Sequence, residues 1–594
     1  MDDRERVEAV RGTLVLLAVV LAALLAPGCG GEGESGPLDR PAGGEIRVGL
    51  PAEPDSLNPY LARTQASFLV ANRVLPSLLD EILPDEVHRA GYEPALASSW
   101  EFSEDGRALT FHLREGRWSD GTPVTCADVA YTLEARKSID VAWRGASFTR
   151  HLVGVDCPDD HTAVFRFDAV YPDRLQDAIT GHILAASLSR IPFAKWRSTD
   201  WGKEMPAGGP FRVAEVRPGQ GIVLERNPGW YGDPALPLVE RVVLEVVPER
   251  VTRMNRLLVG DLDVALDLAP GDAARLDREE EVAAIRRPGW GYTYVGWNTL
   301  DPAAWREWWN RRGARCAEDP SRDGCAEAWK EVVALQRAHP HPFFGDPRVR
   351  RAMTLAIDRE AMVDALLAGE GEVPPTPILA PLPEHDPSIR PLPHDPEAAR
   401  RLLREAGFRD TDGDGILEKD GRPFSFRLLV QAGKRVRRDA AAMIERSLHG
   451  IGVRVEIVPV ENSSFYGTLA HREMDAWIAG WRTSLRVDMT EMLHATACGP
   501  EGADFGSWSR PEADRLASSA RETLDPEERQ RAFWAWERIF QREQPYTILF
   551  RQTLVTGIRD RVRGWETALA SDPLHGIETW SLAEQDSPAA RRVR

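Results

Sequence analysis

The 594-residue sequence lacks the short motifs of the common enzyme classes. It has no G-x-S-x-G nucleophile elbow, no H-E-x-x-H metal-binding helix and no phosphate-binding P-loop. Basic residues are outnumbered, since 74 Lys and Arg stand against 92 Asp and Glu, and the formal net charge is -18. We therefore expect no nucleic acid partner, because phosphate binding needs a basic face. A catalytic cluster that only the folded chain would assemble stays open.

Cysteine is also scarce, with six residues and no C-x-x-C pair or Cys/His spacing of the kind that indicates a zinc site. Cys316 and Cys325 are near neighbours in a loop-like segment, and we expect them to form a disulfide if the protein is exported. The states of Cys126, Cys157 and Cys498 stay open from the sequence, with at least one cysteine expected to be free.

The sequence has no apolar run that spans a bilayer comfortably, which takes roughly 20 residues. Leu14–Ala26, LVLLAVVLAALLA, has instead the length of the apolar region of a secretory signal. The following Pro-Gly-Cys-Gly resembles the lipobox of bacterial lipoproteins, in which the cysteine carries lipid. We expect a signal peptide at 1–28, lipid on Cys29 and a flexible Gly-rich tether at 29–44. A signal peptide cleaved elsewhere and a signal anchor stay open as alternatives.

The body of the chain alternates strand and helix patterns. In LTFHLREGRWSDGTPVTCADVAYTL, apolar and polar residues first alternate as in a half-buried strand. Asp120-Gly121 then predicts a turn, and Thr125 with Asp128 predicts the capped start of a helix. Strand and helix patterns that alternate in this way along the chain indicate α/β layers.

Several segments, in the same order along the chain, resemble those of one protein family. They are LTFHLREGRWSDGTPVTCADVAYTL, PAGGPFRV, RNPGWYG, DPRVRRAMTLAIDREAMV and HDPEAARRLLREAGFRDTDGDGIL. Together they resemble family 5 of the extracellular solute-binding proteins, which includes the oligopeptide, dipeptide and nickel receptors of ABC importers. The resemblance covers most of the chain beyond about residue 45.

The resemblance implies an α/β, two-lobed periplasmic-binding-protein-like fold with an extra subdomain and a ligand cleft between the lobes. A hinge motion would close the lobes around the ligand. The implied regions are lobe I at 45–85, 205–298 and 545–594, its extra subdomain at 86–204, and lobe II at 299–544 with an insertion at about 300–342.

The resemblance also supplies candidate ligand contacts on each side of the cleft. Glu53, in EPDSLNP, is a candidate on the first lobe, and a solvated turn residue is the alternative. Trp297 and Asn298, in GWNT, are candidates at the crossing into the second lobe, and hinge packing is the alternative.

The stretch AGWRTSLRVDMTEMLHATAC resembles a segment that lines the cleft in this family. Trp481 is its aromatic candidate, because a ring supplies contact area without demanding one ligand side chain. Peptide binders of the resembled family commonly have Asp three residues later, to pair a ligand ammonium, but here Ser484 stands there. A buried ammonium without a partner is costly, which weakens the ordinary peptide assignment. Asp488 is the expected substitute, and a solvated carboxylate is the alternative.

The stretch RDTDGDGILEKDG is similar to part of an EF-hand calcium loop. Asp410, Asp412, Asp414 and Gly415 match positions 1, 3, 5 and 6 of that loop. Position 12 would be Gly421, where a bidentate Glu is needed. We therefore expect a structural turn and no metal site.

The segment between Asn298 and Phe343 is longer than the resembled family usually shows. It holds Trp305, Trp308 and Trp309 close together in AAWREWWNRR. Three tryptophans could cover the cleft or face a partner. A local mini-core stapled by the expected disulfide is the alternative.

The function implied by the resemblance is that of a lipid-anchored receptor in the periplasm or cell envelope. It would hand a small solute, a peptide or peptide-like molecule, to the permease of an ABC importer without catalysis or a cofactor, and we expect a monomer. Two alternatives stay open. One is a surface interaction or chaperone-like protein that kept the binding fold. The other is a metal or metallophore receptor, which the lack of a His-rich tract disfavours.

Overall fold

The computed structural model describes residues 43–84, 90–318, 324–499 and 502–583. The expected signal peptide, the lipidated Cys29 and most of the expected tether lie outside the described residues. Within the described part of the chain, no helix combines the length and the apolar character needed to cross a membrane.

Strands and helices alternate along the described chain. The strands are β1 Glu45–Leu50, β2 Leu79–Ile82, β3 Gly91–Pro94, β4 Ala97–Phe102, β5 Ala108–Leu113, β6 Leu152–Asp159, β7 Thr162–Phe167, β8 Phe211–Arg217, β9 Gly221–Arg226, β10 Arg241–Val246, β11 Val264–Leu268, β12 Val282–Pro288, β13 Gly291–Trp297, β14 Gly371–Glu372, β15 Glu418–Lys419, β16 Arg422–Pro423, β17 Ser425–Gln431, β18 Arg454–Val460, β19 Ala476–Arg482, β20 Tyr546–Arg559, β21 Val562–Arg563 and β22 Ser581–Leu582.

Most of the longer helices lie in the second half of the chain. The α-helices are Gln65–Val74, Cys126–Lys137, Arg174–Ile179, Trp201–Glu204, Arg250–Leu258, Ala273–Leu276, Pro302–Trp308, Ala314–Glu318, Cys325–Ala338, Pro347–Ala356, Arg359–Leu367, Pro396–Glu405, Arg435–His449, Phe465–Ala470, Pro511–Glu522 and Pro526–Glu543. Shorter 3-10 turns are Ala146–Thr149, Ala186–Arg190, Phe193–Ser198, Pro270–Asp272, Met489–Glu491, Ala495–Cys498, Trp565–Thr567 and Ile577–Thr579, and a π turn is Trp309–Gly313.

One strand joins the sheets of the two halves of the molecule. Among the described residues, the large sheet has the order β18-β17-β19-β13-β20-β11-β1-β10-β9-β8, and β12 and β14 also pair with β20. The first part of β20 pairs with β13, and its second part pairs with β12 and β11. We call the side with β1 and β8–β12 the first lobe, and the side with β13 and β17–β19 the second lobe.

Each lobe encloses its own apolar interior. The first-lobe interior includes Trp118 and Trp580, whereas the second lobe holds one cluster around Trp297 and another around Trp477 and Trp536. This burial supplies most of the driving force for folding each lobe. The α/β class predicted from the sequence is confirmed by the alternating elements, and the exact lobe boundaries remain predictions.

The helix Cys126–Lys137, which follows the Ser-Asp-Gly turn, is joined to an antiparallel sheet of order β4-β5-β7-β6. Asp128, in the first turn of the helix Cys126–Lys137, accepts hydrogen bonds from the N–H of Thr125 at 2.7 Å and from Nε1 of Trp118 at 3.2 Å. A disulfide joins Cys126 to Cys157 in β6. The disulfide therefore ties the start of this helix to the sheet of the expected extra subdomain.

The tryptophans of the insertion form a small apolar cluster of their own. Trp305 and Trp308 are 1% and 2% exposed and pack with Cys316, Cys325 and other apolar residues. The structure joins Cys316 to Cys325 with an S–S distance of 1.98 Å. This arrangement corresponds to the local mini-core alternative, because the rings of Trp305 and Trp308 are buried inside the cluster.

Gly296 lies in β13 between β19 and β20, where there is no room for a side chain. A Cβ atom there would lie 2.1 Å from Cζ2 of Trp477, which is fully buried. We expect Gly296→Ala to lower the free energy of unfolding by about 1–3 kcal/mol, as overpacking does. Calorimetry should show a lower thermal midpoint.

The matched control is Gly467→Ala, in the helix Phe465–Ala470, where an added Cβ meets no atom within 4 Å. Alanine favours helix, so this variant should melt at the parent temperature or slightly above it. An unchanged midpoint for Gly296→Ala would show that Trp477 moves aside at little cost.

Candidate functional site

A cavity of about 330 Å³ is built into the first lobe. Its wall combines the end of the helix Gln65–Val74, β2 with its neighbours, the end of the helix Arg174–Ile179 and the segment 569–578. This volume lies at the lower end of the range, about 300–1,000 Å³, that small-molecule sites occupy. Side chains that decide its chemistry are Arg73, Asp80, Glu81, His182, Asp572 and Glu578.

Arg73 supplies the guanidinium of the cavity wall, and that group is already paired. Its Nη1 donates to Oδ1 of Asp572 at 3.1 Å, and its Nη2 donates to Oδ2. Asn72 adds a hydrogen bond to the same carboxylate at 2.7 Å. Burial opposes ionisation of Asp572, but the charge and hydrogen bonds of Arg73 hold the pKa of this carboxyl below its usual value. The two charges neutralise each other.

His182 contributes an uncharged ring to the wall. Burial, followed by the nearby charge of Arg73, lowers the pKa of His182 from 6.5 to about 4. Its Nε2 lies 2.9 Å from Oδ1 of Asn72, so a neutral ring protonated on Nε2 donates to that oxygen. At neutral pH the ring adds no positive charge to the cavity.

The remaining titratable side chains of the wall include the carboxylates of Asp80, Glu81 and Glu578 and the imidazole of His575. Glu81 accepts a hydrogen bond from Nε2 of Gln176 at 3.2 Å, and Asp80 accepts one from Oγ of Ser77. Burial raises the pKa of both Glu81 and Glu578. The wall is therefore electronegative, and its anions are partly desolvated.

A segment of the second lobe reaches this wall. We call residues 483–488, which follow β19, the closing segment. The N–H of Leu485 donates to Oε1 of Glu81 at 3.0 Å. A carboxylate that lines the first-lobe cavity is thus hydrogen-bonded by the second lobe, which places the closing segment at the rim of the cavity.

Arg486 joins the closing segment to the first lobe by ion pairs. Its guanidinium nitrogens lie 3.5 Å from Asp173, 3.2 Å from Asp177 and 3.5 Å from Asp488. Arg529, on the helix Pro526–Glu543, lies 3.2 Å from Asp173 as well. We call these five residues the inter-lobe cluster, and each of their side chains is at most 11% exposed.

The inter-lobe cluster is desolvated and incompletely hydrogen-bonded. Burial raises the pKa of Asp177, although a hydrogen bond from Tyr171 and the charge of Arg486 oppose that effect. Burial works against the charge of Arg486, yet the surrounding carboxylates raise its pKa overall. Among the described residues, Nε of Arg486 and Oδ2 of Asp488 are buried without a hydrogen-bond partner. Such atoms favour water or a ligand in the closed interface.

Three sequence-predicted residues lie in or beside the closing segment. Trp481 is half-buried at the end of β19, and Oγ of Ser484 contacts the carbonyl of Arg486 at 3.4 Å. Asp488 accepts a 2.8 Å hydrogen bond from the N–H of Thr490 and pairs with Arg486. Its carboxylate is therefore engaged by the protein's own cation in this structure.

The other three predicted contacts lie away from the cavity. Glu53 borders a separate open pocket, where it accepts a hydrogen bond from the N–H of Gly219 at 2.9 Å. Trp297 is fully buried and donates to Thr547 at 3.1 Å. Asn298 is equally buried and donates to the carbonyl of Met474 at 2.8 Å. The packing of the second lobe uses both side chains, which leaves them no surface toward the cavity.

Sequence reasoning missed Arg486 and the first-lobe acids. Arg486 stands between Ser484 and Asp488 in the stretch already singled out, so its charge was a usable signal. Asp173, Glu81 and Glu578 carry no local motif. They meet the closing segment or the cavity only because distant parts of the chain fold together.

The acidic loop Asp410–Glu418 is a surface feature. Ligand oxygens of Asp410, Asp412, Asp414 and Glu418 lie within 4.8 Å of one another. The first three residues are exposed, and Asp410 accepts hydrogen bonds from backbone N–H groups of its own loop, as Asx turns do. The cluster has the character of a structural turn.

The lowered pKa of His182 predicts a pH-dependent stability. Below pH 6.5 the unfolded chain binds a proton that the folded ring accepts only near pH 4, so stability is present at neutral pH and is lost on acidification. The loss should reach about 3 kcal/mol by pH 4. Calorimetry of the parent and of His182→Gln at pH 7 and 4.5 should show a smaller loss in the variant.

The matched control for this experiment is His339→Gln, because the His339 side chain is exposed. It should lose as much stability on acidification as the parent protein. Equal losses for the parent and His182→Gln would contradict the assigned pKa shift.

Comparison with known proteins agrees with this architecture. The profile of the bacterial extracellular solute-binding proteins, family 5 middle region, matches residues 91–503. The oligopeptide-binding protein AppA of Bacillus subtilis (strain 168) is 25% identical over 598 residues, covering 98% of this chain and all of that protein.

Solved structures show the same fold. The structure of Bacillus subtilis AppA in complex with a nonapeptide aligns with a TM-score of 0.70 and 25% identity, covering 92% of this chain and 100% of that chain. NikZ from Campylobacter jejuni in complex with Ni(L-His) aligns with a TM-score of 0.69 and 20% identity, covering 90% and 99%. The two-lobed periplasmic-binding-protein fold predicted from the sequence is thereby confirmed. Since the family profile matches more than half of this chain, the chain belongs to family 5 of the bacterial extracellular solute-binding proteins.

Proposed function

We propose that this solute-binding protein is a lipid-anchored extracytoplasmic receptor that delivers a peptide or peptide-like solute to an ABC importer. The observation that carries the proposal is the first-lobe cavity whose Glu81 is bonded by Leu485 of the second lobe. A cavity with its walls on one lobe and its rim on the other would admit or release a solute when the lobes separate, and would enclose the solute when they close. The proposal contains no covalent step.

The proposed motion follows from how the lobes are connected. The chain crosses between them at β12–β13 and along β20, and these crossings are hydrogen-bonded to each other. Rotation about the crossings would separate the closing segment from Glu81 and break the ion pairs of the inter-lobe cluster. The cavity would then open toward solvent.

The proposal also includes a lipid anchor and a permease partner in the cell envelope. Lipid on Cys29 would hold the protein at a membrane, and the Gly-rich stretch after it would let the lobes reach a permease. A relative of similar length is named as an oligopeptide-binding protein, and its solved complex contains a nonapeptide. This relative supports a peptide-like solute, and the monomeric state remains a prediction.

The function is tested by the thermal midpoint of the purified protein against short peptides, sugars and metal–amino-acid chelates. A solute that binds only the folded state stabilises it by about 2.7 kcal/mol at one hundred times its Kd. We expect a higher midpoint with peptides and no change with sugars. A shift with metal chelates alone would favour the metallophore alternative, and no shift with any class would contradict the receptor proposal.

Arg486 should control lobe closure. In Arg486→Ala, the buried carboxylate of Asp177 would lose its ion-pair partner and Asp173 would keep only Arg529, which costs several kcal/mol. We expect the lobes to separate and the radius of gyration from small-angle X-ray scattering to increase. Solute affinity should fall about tenfold or more, because less of the protein is in the competent state.

The control for the closure experiment is Arg482→Ala, since Arg482 is an exposed neighbour at the end of β19. Its radius of gyration should equal that of the parent protein. If Arg486→Ala scatters like the parent in the absence of solute, the inter-lobe cluster does not hold the lobes together.

A further inference from the structure

Arg529 lies between one carboxylate from each lobe. Its Nη2 is 3.2 Å from Oδ1 of Asp173 on the first lobe, and its Nε is 3.6 Å from Oε1 of Glu384. Glu384 belongs to the second lobe, because the preceding carbonyl, that of Pro383, accepts a 2.8 Å hydrogen bond from Gln530 on the same helix as Arg529. Closure of the lobes therefore brings a second carboxylate to a cation that already has one.

Arg486 is shared between the lobes in the same way. Its own lobe supplies Asp488 at 3.5 Å, and the first lobe supplies Asp177 at 3.2 Å and Asp173 at 3.5 Å. Oδ2 of Asp488 is buried and accepts no hydrogen bond among the described residues. The arginines of the closed interface therefore do not satisfy every carboxylate oxygen that it encloses.

The charges that meet at this interface do not balance. The second lobe contributes two arginines and two carboxylates, which neutralise each other. The first lobe adds Asp173 and Asp177, and the buried Arg136 beside them donates to the backbone carbonyls of Asp177 and Ala178. The groups that surround these residues are Glu81, Tyr92, Arg150 and Tyr171 on the first lobe and Glu491 and Arg521 on the second. Arg150 and Glu491 are exposed, so water screens their charges.

Two of the enclosed carboxyls respond to this excess of negative charge. Burial raises the pKa of Glu384 above its usual 4.5, and the charge of Asp173 adds to the effect, although Arg529 opposes it. Burial also raises the pKa of Asp177 above its usual 3.8, against the hydrogen bond from Tyr171. Separation of the lobes would expose both groups to water and remove the cause of these shifts. The closed state therefore binds protons that the open state releases.

We propose that closure of the two lobes is coupled to proton uptake by Glu384 and Asp177, so that the closed state becomes more favourable as the pH falls from neutral toward 5. The inference rests on the proposed receptor function, because it makes the closing motion of that receptor pH-dependent. A proton on Glu384 removes the repulsion from Asp173 and leaves Arg529 to Asp173 alone. Each proton taken up changes the ratio of closed to open protein by at most about tenfold per pH unit.

The sign of this dependence follows from the raised pKa values. A carboxyl whose pKa is raised by closure favours the closed state fully below its usual pKa, and the effect is lost as the pH rises through the raised value. Acidic surroundings would therefore favour the enclosed solute, and neutral surroundings would favour its release.

Small-angle X-ray scattering of the purified, solute-free protein between pH 8 and pH 5 tests the coupling. We expect the radius of gyration to decrease as the pH falls. In Glu384→Gln and Asp177→Asn, an uncharged amide takes the place of a protonated carboxyl. Each variant should be more compact than the parent at pH 8 and should change less with pH, and the double variant should stay compact throughout.

The matched controls are Glu527→Gln and Asp261→Asn, whose side chains are 82% and 63% exposed in the parent. They remove the same charges from the surface, so their radius of gyration should follow that of the parent at every pH. This comparison separates the interface from a general loss of charge repulsion on acidification. Thermal midpoints at each pH verify that all variants are folded.

Three outcomes would overturn the inference. One is a parent radius that does not change with pH. Another is a double variant that contracts on acidification as much as the parent, because the protons would then bind elsewhere. The third is expansion of Glu384→Gln and Asp177→Asn at pH 8, which would show that the ionised carboxylates hold the lobes together. The scattering experiment uses no solute, so none of these outcomes contradicts the receptor proposal, which the panel of solutes tests separately.

Discussion

The shared strand β20 is the constraint on which the rest of the structure depends. Its first part is hydrogen-bonded to β13 of the second lobe and its second part to β11 and β12 of the first. At the crossing, the N–H of Gly289 donates to the carbonyl of Gln552 at 2.9 Å, and a Cβ on Gly289 would lie 2.7 Å from that oxygen. Both crossings are tied together here, and the proposed hinge rotation would take place about this point.

Ion pairs connect the two lobes where they meet. A charge buried in a closed interface is costly unless it has an ion-pair partner. The pairs of Arg486 with Asp173 and Asp177 therefore favour this closed arrangement of the lobes over arrangements that would leave a buried charge unpaired. The cavity next to it follows the same rule. Its Arg73 is paired with Asp572, the ring of His182 is neutral, and Glu81 is hydrogen-bonded from both lobes.

The closing segment shows how far local sequence carries a functional prediction. Trp481, Ser484 and Asp488 lie within eight residues of the chain, and the structure brings their segment to the rim of the cavity. Trp297 and Asn298 also stand at the lobe crossing, yet both side chains are fully buried. Sequence position placed these residues near the crossing, but the direction of each side chain depended on packing that no local pattern encodes.

The sequence by itself determined the α/β class and the turn before the helix Cys126–Lys137, because period-two alternation, Asp-Gly turns and capping residues act over a few neighbours. Tertiary structure alone decided the cavity and the inter-lobe cluster. Asp80, Glu578 and Gln176 are far apart in the chain and meet only after folding. No local pattern encodes the desolvation of these groups, because it depends on a wall that distant segments form together.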